Sequence, residues 1–420
     1  MAHLERVVED DLATPVHSQK PGGPSTTGAT IEDHVHSQPL EAPSSGGILN
    51  PVVEPCTINP FHYPVCRGKP WFEKRVFGGS SGMTNWDDSP VLALEAGLRY
   101  IESGAPGYRR VRRGKSFVYL SDDGEVLNGR VRKWIENLVI PPAWEDVWIS
   151  SDPRGHILAT GHDAAGRKQY IYHPDWEVIR DEVKFDRLVP FGDKLVELRK
   201  SIDNDLRTRG LPRRKVVSLT VAVLDRTLLR VGNRRYAAEN DSYGLTTLTC
   251  EHIEVDGPHV HLEFTGKGGA EHQLVFGDRR LAGLVSRCQE LSGQTLFSYE
   301  TGDGDVGSVT SSDVNGYLSD ILEGPFTAKD VRTWGASSLV VGELGRGSED
   351  TDVEARLRDA IDVAAERLGN TRDVCRASYV HPRVLAANED GSLDEIWPKA
   401  RGGKWVSRDE SALRALLDGP

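Results

Sequence analysis

Near residue 180 the spacing of apolar residues along this 420-residue chain changes from alternate positions to every third or fourth, and no single element type satisfies both. From about 95 to 175, short runs such as SFVYLSD, VWISSD, HILATGHD and KQYIYHP are separated by Gly, Asp and Pro turns and read as strands, with VRKWIENL fitting one intervening helix. Farther on, FGDKLVELRKSIDNDLRTRG and RRKVVSLTVAVLDRTLLRVGN carry helical spacing, the second dense enough for a buried helix ending at Gly232. HVHLEFTGKGGAEHQLVF interrupts with two alternating runs about a glycine turn, a β-hairpin with Lys267 at its tip. Helical spacing resumes in RRLAGLVSRCQEL, SSDVNGYLSDIL, FTAKDVRTWGASSLVVGEL and TDVEARLRDAIDVAAERLG, and a short last helix bearing Tyr379 is expected to stop at His381-Pro382. The expected fold is therefore α+β, with a β-rich domain over 95–178 and a mainly α-helical one over 179–385. Residues 1–50, rich in Gly, Pro, Ser and Thr, are expected to form a disordered tail. Residues 51–94 hold aromatics without periodicity and suggest no role, and 386–420 are expected to be a polar tail with one weak helix at ESALRALL.

A formal net charge of -12 argues against a polyanionic partner, because nonspecific nucleic-acid affinity comes from lysine and arginine displacing counterions. Patterning removes that objection. Residues 199–235 hold eleven basic side chains (Arg199, Lys200, Arg207, Arg209, Arg213, Arg214, Lys215, Arg226, Arg230, Arg234 and Arg235) against Asp203, Asp205 and Asp225, a local balance of +8. A second cluster, Arg109, Arg110, Arg112, Arg113 and Lys115, lies upstream, and the acidic residues concentrate elsewhere. No apolar run is long enough to span a bilayer, the start MAHLERVVEDDLATP lacks a signal-peptide pattern, and five cysteines form no CxxC pair, so free thiols and a cytoplasmic location are expected.

Four segments each present one side chain suited to a phosphodiester: Arg230 in LLRVGN, Lys267 in FTGKGG, Arg332 in KDVRTW and Tyr379 in RASYVHP. A phosphoryl centre needs its equatorial charge neutralised, its nucleophile held in line and its leaving oxygen protonated; arginines, a lysine and a tyrosine can supply these without a divalent ion. Other motifs are discounted. GDGDVG satisfies G-x-G-x-x-G but opens no clear helix, GKGG lacks the remainder of a nucleotide-binding loop, and His252, His259, His261 and His272 match no common zinc spacing. Neither a metal nor a nucleotide cofactor is expected.

In their order and flanking words, LLRVGNRRYAAENDSYGLTTL, LEFTGKGG, FTAKDVRTWGASSL and LGNTRDVCRASYVHP resemble the motifs of the type IB DNA topoisomerases, and within them the bacterial, poxvirus-like branch. The resemblance runs from about Gly97 to about Leu385. It implies a helical catalytic domain of the tyrosine recombinase/topoisomerase IB type which, with the β-rich domain, forms a C-shaped clamp on duplex DNA. It further implies that Arg230 and Arg332 stabilise the transition state, Lys267 protonates the leaving oxygen, and Tyr379 forms a 3'-phosphotyrosine. Such an enzyme acts as a monomer and relaxes supercoils of both signs without ATP or metal. Nine residues before the tyrosine, where poxvirus-like relatives carry a histidine, this chain has Asn370, whose amide can donate the same hydrogen bond but carries no charge. Gln169, Tyr170 and Tyr172 match a Gln-Tyr-x-Tyr word that contacts DNA, with Arg234 and Arg235 as further contacts, implying a nucleoid-associated enzyme. Two rivals are a tyrosine recombinase, which normally has His-x-x-Arg where this chain has Lys329-Asp330-Val331-Arg332, and a noncatalytic duplex-binding protein.

Overall fold

The computed structural model describes residues 89–420 apart from 103, 235, 236, 239, 240, 303, 348–351 and 420. The expected tail over 1–50, nearly all of 51–94, and Arg235 therefore lie outside the described residues. After a short helix α1 (Ser89–Glu95), strands β1 (Gly107–Arg113), β2 (Ser116–Leu120), β3 (Glu145–Ser150), β4 (Ile157–His162) and β5 (Lys168–Tyr172) form an antiparallel sheet in the order β2-β1-β3-β4-β5. Helix α2 (Gly129–Asn137) seals one face by burying Ile135 against Tyr119, Val147, Ile149 and Ala159. Much of the upstream basic cluster serves this domain itself. Arg110 donates to the carbonyls of Ile140, Pro141 and Trp144 at 3.1, 3.0 and 2.7 Å, Arg112 donates to Pro142 at 3.1 Å, and both guanidiniums lie over the Phe117 ring. Such bonds satisfy loop carbonyls and occupy donors that a partner would otherwise take.

Helices α3 (Pro174–Asp186), α4 (Leu188–Asp205) and α5 (Arg213–Thr227) follow, then β6 (Ile253–Asp256), β7 (His259–Thr265) and β8 (Glu271–Gly277), which pair antiparallel in sequence order. Beyond α6 (Arg279–Gln289), the two-stranded β9 (Ser298–Glu300) and β10 (Val306–Ser308), and α7 (Ser311–Leu322), the long α8 (Ala328–Arg346) runs through the core. It packs against α9 (Val353–Leu368), and a single cluster of buried side chains reaches from Phe185 to Leu416. Mixed helix and sheet is thus observed. Among the described residues no helix is long and apolar enough to cross a membrane.

Three expectations change. Helix α5 ends at Thr227 rather than Gly232, because Leu228 turns left-handed (φ 57°) and the next residues pair with a distant segment: Leu245 N–H to Arg230 O at 2.8 Å and Thr246 N–H to Val231 O at 2.6 Å. That pairing brings Gly232 (φ +94°) against Gly244, where a Cβ on Gly232 would lie 2.9 Å from the Gly244 Cα. The helix before the tyrosine, α10 (Arg372–Ser378), stops three residues ahead of His381, and Pro382 opens α11 (Pro382–Asp390) instead of ending a helix, with His381 Nδ1 accepting the Arg383 N–H at 3.0 Å.

The third change concerns 386–420. Behind α12 (Ser392–Ile396), helix α13 (Arg408–Leu417) is no polar tail: Ala412, Leu413 and Leu416 are fully buried against the core. The segment reads as polar because its charges are used internally. Arg199 donates to both Asp225 oxygens at 2.8 and 2.9 Å and to both Glu410 oxygens at 2.8 and 2.7 Å, while Glu410 also accepts from Trp334 Nε1 and the Ser407 N–H. The +8 stretch is consumed in the same way, since Arg207, Arg213, Arg214 and Arg226 pair with Asp203, Asp313, Asp205 and Asp278, and Lys215 is buried on the Thr208 carbonyl. Lys200, Arg209 and Arg234 remain exposed.

Candidate active site

Arg332 lies one turn into α8, behind a Thr327/Asp330 capping box, and only 5% of it is exposed. Its Nε donates to Leu228 O at 2.9 Å, Nη2 to Leu368 O at 3.0 Å and Nη1 to Tyr379 Oη at 3.3 Å, with the guanidinium carbon 5.0 Å from the tyrosine ring centre. Arg230, in the extended segment after α5 rather than on a helix, donates through Nη1 to Gly369 O at 3.3 Å and through Nη2 to Asn370 Oδ1. Two consecutive carbonyls at the end of α9, which no helical N–H reaches, thus hold two guanidiniums together at the negative end of the helix.

Gly369 makes this terminus possible. It takes the left-handed conformation (φ 62°), its N–H returning to Glu366 O at 3.1 Å and the Asn370 N–H to Ala365 O at 2.9 Å, a Schellman ending. The glycine therefore does the capping and leaves the Asn370 side chain for other work. Arginine can only donate, so Asn370 Oδ1 faces Arg230 and its Nδ2 is left buried without a hydrogen-bond partner among the described residues. This is an amide donor of the kind a nonbridging phosphate oxygen would accept. On the expectation that this site handles a phosphodiester, Asn370→Ala should slow its cleavage about 10-fold, the loss of one hydrogen bond to a charged group, while Asn370→His should keep the rate; single-turnover rates check both.

Tyr379 follows α10, its N–H on Cys375 O at 2.9 Å. Its carbonyl accepts from Ser337 Oγ at 3.0 Å, and Ser337 Oγ in turn accepts the His381 N–H at 3.0 Å. Ser337 is fully buried and five residues beyond Arg332, so α8 anchors both the arginine and the backbone of the tyrosine. Nothing in the run WGASS marked it. Burial pushes the Cys375 thiol up to about 12, and burial followed by the charges of Arg383 and Lys184 brings His381 down to about 4, so neither adds a charge beside Tyr379 near neutral pH.

Lys267 stands half-buried in the β7–β8 turn, closed by the Gly266 N–H on Ala270 O at 2.7 Å, with Gly268 and Gly269 at φ +77° and +78°. Arg230, Arg332, Asn370 and Tyr379 are joined by the contacts above; the Lys267 turn approaches them through His272. That histidine, on β8 and 7% exposed, stacks on Phe264 with ring centres 4.8 Å apart and lies against both Gly266 and Gly369. Burial, then the charges of Arg230 and Arg332, hold its imidazole below the usual range and neutral. One histidine in an alternating strand carried no such signal. Among the described residues no group of three or more His, Cys, Asp or Glu side chains is placed to hold a metal ion.

Gln169, Tyr170 and Tyr172 lie on the edge strand β5, apart from this cluster. Strand alternation puts the two tyrosines on one face, stacked with ring centres 5.6 Å apart, and Gln169 on the other, donating to Asp163 Oδ2 at 2.9 Å. The three therefore do not present one common face. Lys168 and Arg180 extend the tyrosine pair, each lying over one ring at 5.3 Å. Arg234 is exposed two residues past Gly232.

Comparison with known proteins agrees with this architecture. Residues 173–394, just over half the chain, match the family of the eukaryotic DNA topoisomerase I catalytic core, and 116–163 match the N-terminal domain of bacterial DNA topoisomerase IB. The DNA topoisomerase 1B of Acanthamoeba polyphaga mimivirus is 29% identical over 285 residues, covering 65% of this chain and 85% of its own. The vaccinia virus (strain Copenhagen) DNA topoisomerase 1B is 25% identical over 283 residues (66% and 86%), and Mycosarcoma maydis DNA topoisomerase 1 is 24% identical over 205 (44% and 20%). Fold and relatives define a DNA topoisomerase, an isomerase that acts on DNA. The chain belongs to the type IB DNA topoisomerase family.

Proposed function

We propose that this topoisomerase relaxes both positive and negative supercoils through a transient single-strand break, with Tyr379 as nucleophile and with neither ATP nor metal. The observation that carries the reading is the donation from Arg332 Nη1 to Tyr379 Oη while Arg230 and Arg332 are held on adjacent carbonyls of one helix end. The tyrosine oxygen, giving its phenolic proton to solvent, attacks phosphorus as the bond to the 5' oxygen of the next nucleotide breaks, giving a 3'-phosphotyrosine and a free 5' hydroxyl. An alkoxide is a far poorer leaving group than a phenolate, whose acid has a pKa of about 10, so the departing oxygen takes a proton from Lys267. Arg230, Arg332 and the Asn370 amide neutralise and bond the nonbridging oxygens of the pentacoordinate state, where fixed guanidinium forks fit and lysine would not. The covalent bond conserves the energy needed to reseal once the 5' end has rotated.

On the same reading the β-rich and helical domains close as a clamp on duplex DNA, the Tyr170/Tyr172 face and Arg234 contribute contacts, and a monomer suffices. Incubating the protein with positively and with negatively supercoiled plasmid in EDTA without ATP tests it. Relaxation of both is expected; binding without relaxation would leave only a duplex-binding role.

A further inference from the structure

The imidazole of His272 occupies space that two separate turns leave by having no side chain. A Cβ on Gly266 would lie 2.7 Å from its Cδ2 and Nε2, and a Cβ on Gly369 would lie 2.7 Å from its Nε2. Gly266 immediately precedes Lys267. Gly369 precedes Asn370 and offers the carbonyl that holds Arg230. The ring is fixed from below by Phe264, its register partner across β7 and β8, stacked at an interplanar angle of 15°. A β-hairpin tip closed by two left-handed glycines has little internal stiffness, so whatever packs against its base sets where the lysine stands.

We propose that His272 is a positioning residue for the leaving-group step: wedged between Gly266 and Gly369, it sets the Lys267 turn against the helix end that holds Arg230 and Asn370. A neutral ring suits this place, because an imidazolium there would add a third positive charge beside Arg230 and Arg332, with Glu271 as the neighbouring acid. The inference rests on Lys267 acting as the acid that protonates the leaving oxygen. Misplacing such a group by about 1 Å costs on the order of 100-fold in rate.

The test is single-turnover cleavage of two duplex substrates, one with the ordinary 5' bridging oxygen and one with sulfur there, whose thiolate leaves without a proton. Lys267→Ala is the reference, and sulfur is expected to restore its rate; if it does not, the acid role of Lys267 fails, and the His272 inference with it. Given that rescue, His272→Ala is expected to cleave the oxygen substrate about 10- to 100-fold more slowly than wild type and the sulfur substrate at nearly the wild-type rate. Equal slowing on both substrates would overturn the proposal, since a merely structural loss is blind to the leaving atom. Gly266→Ala supplies an independent arm that keeps the histidine but pushes on its ring, and the same sulfur-sensitive slowing is expected; an unchanged oxygen rate in that variant would also overturn it.

Discussion

Replacing Arg332 with lysine is expected to slow DNA cleavage by about 100- to 1000-fold, the range seen when one preorganised donor to a developing oxyanion is removed. The expectation follows from how fully the guanidinium is committed: Leu228 O, Leu368 O and Tyr379 Oη take donors from three different nitrogens of one planar group. A lysine ammonium keeps the charge but cannot meet three acceptors in that plane, and each buried carbonyl left unmet costs about 1–3 kcal/mol. The variant is therefore expected to lose some stability as well, so the rate is to be normalised to the folded fraction measured by circular dichroism. With DNA in excess the deficit should persist at saturation, which places it in the chemical step. Arg226→Lys, which alters an exposed pair with Asp278, should leave cleavage within a few-fold of wild type.

The second large effect is on folding. Arg199→Met is expected to destabilise the catalytic core by roughly 3–5 kcal/mol, because it strands the buried Glu410 and the half-buried Asp225, two carboxylates that now share one guanidinium. Urea denaturation of wild type and variant reads this directly, and Arg207→Met, which breaks an exposed pair with Asp203, should cost no more than about 1 kcal/mol. A pH series gives the sign. Burial alone would raise the Glu410 carboxyl, but Arg199's hydrogen bonds and charge, with the Ser407 N–H and Trp334, outweigh it and hold the group below its ordinary 4.5. A carboxylate lowered on folding stabilises the protein above its unfolded value and loses that contribution as pH falls through the folded one. The gap between wild type and Arg199→Met should therefore be full at neutral pH and narrow below about 4.5. A gap that stays constant from pH 7 to 3 would contradict this role for the Arg199–Glu410 pair.

Much of this was legible in the sequence, for reasons that can be named. Hydrophobic period separates a sheet from a helical core because each periodicity buries only one kind of face, and the glycine pair after Lys267 specifies a hairpin tip. Of the four residues expected to handle a phosphoryl group, Arg332 meets Tyr379 and Arg230 sits on the carbonyl next to the one that holds Arg332. What stayed hidden depends on partners distant in sequence. LLRVGN continues a helical stripe on paper, yet pairing of Arg230 and Val231 with Leu245 and Thr246 stops the helix at Thr227. Basic runs promised a positive face, but Arg213 and Arg226 meet Asp313 and Asp278 from elsewhere in the chain. The last helix looked too charged to pack because its Glu410 is spent on Arg199. His272 and Ser337 gain their places only through tertiary contacts that one sequence does not display.

The proposed mechanism requires that Tyr379 become covalently joined to the 3' phosphate of a broken strand. A duplex whose leaving fragment, the one that gains the free 5' hydroxyl, is too short to stay annealed traps that state, and a label on the strand that ends in the 3' phosphate reports it by gel shift after denaturation, with the modified peptide identified by mass spectrometry. Wild type is expected to carry the label on the peptide containing Tyr379, and Tyr379→Phe to carry none while still binding the duplex. Label retained in Tyr379→Phe, or attached through the 5' end, would contradict the account.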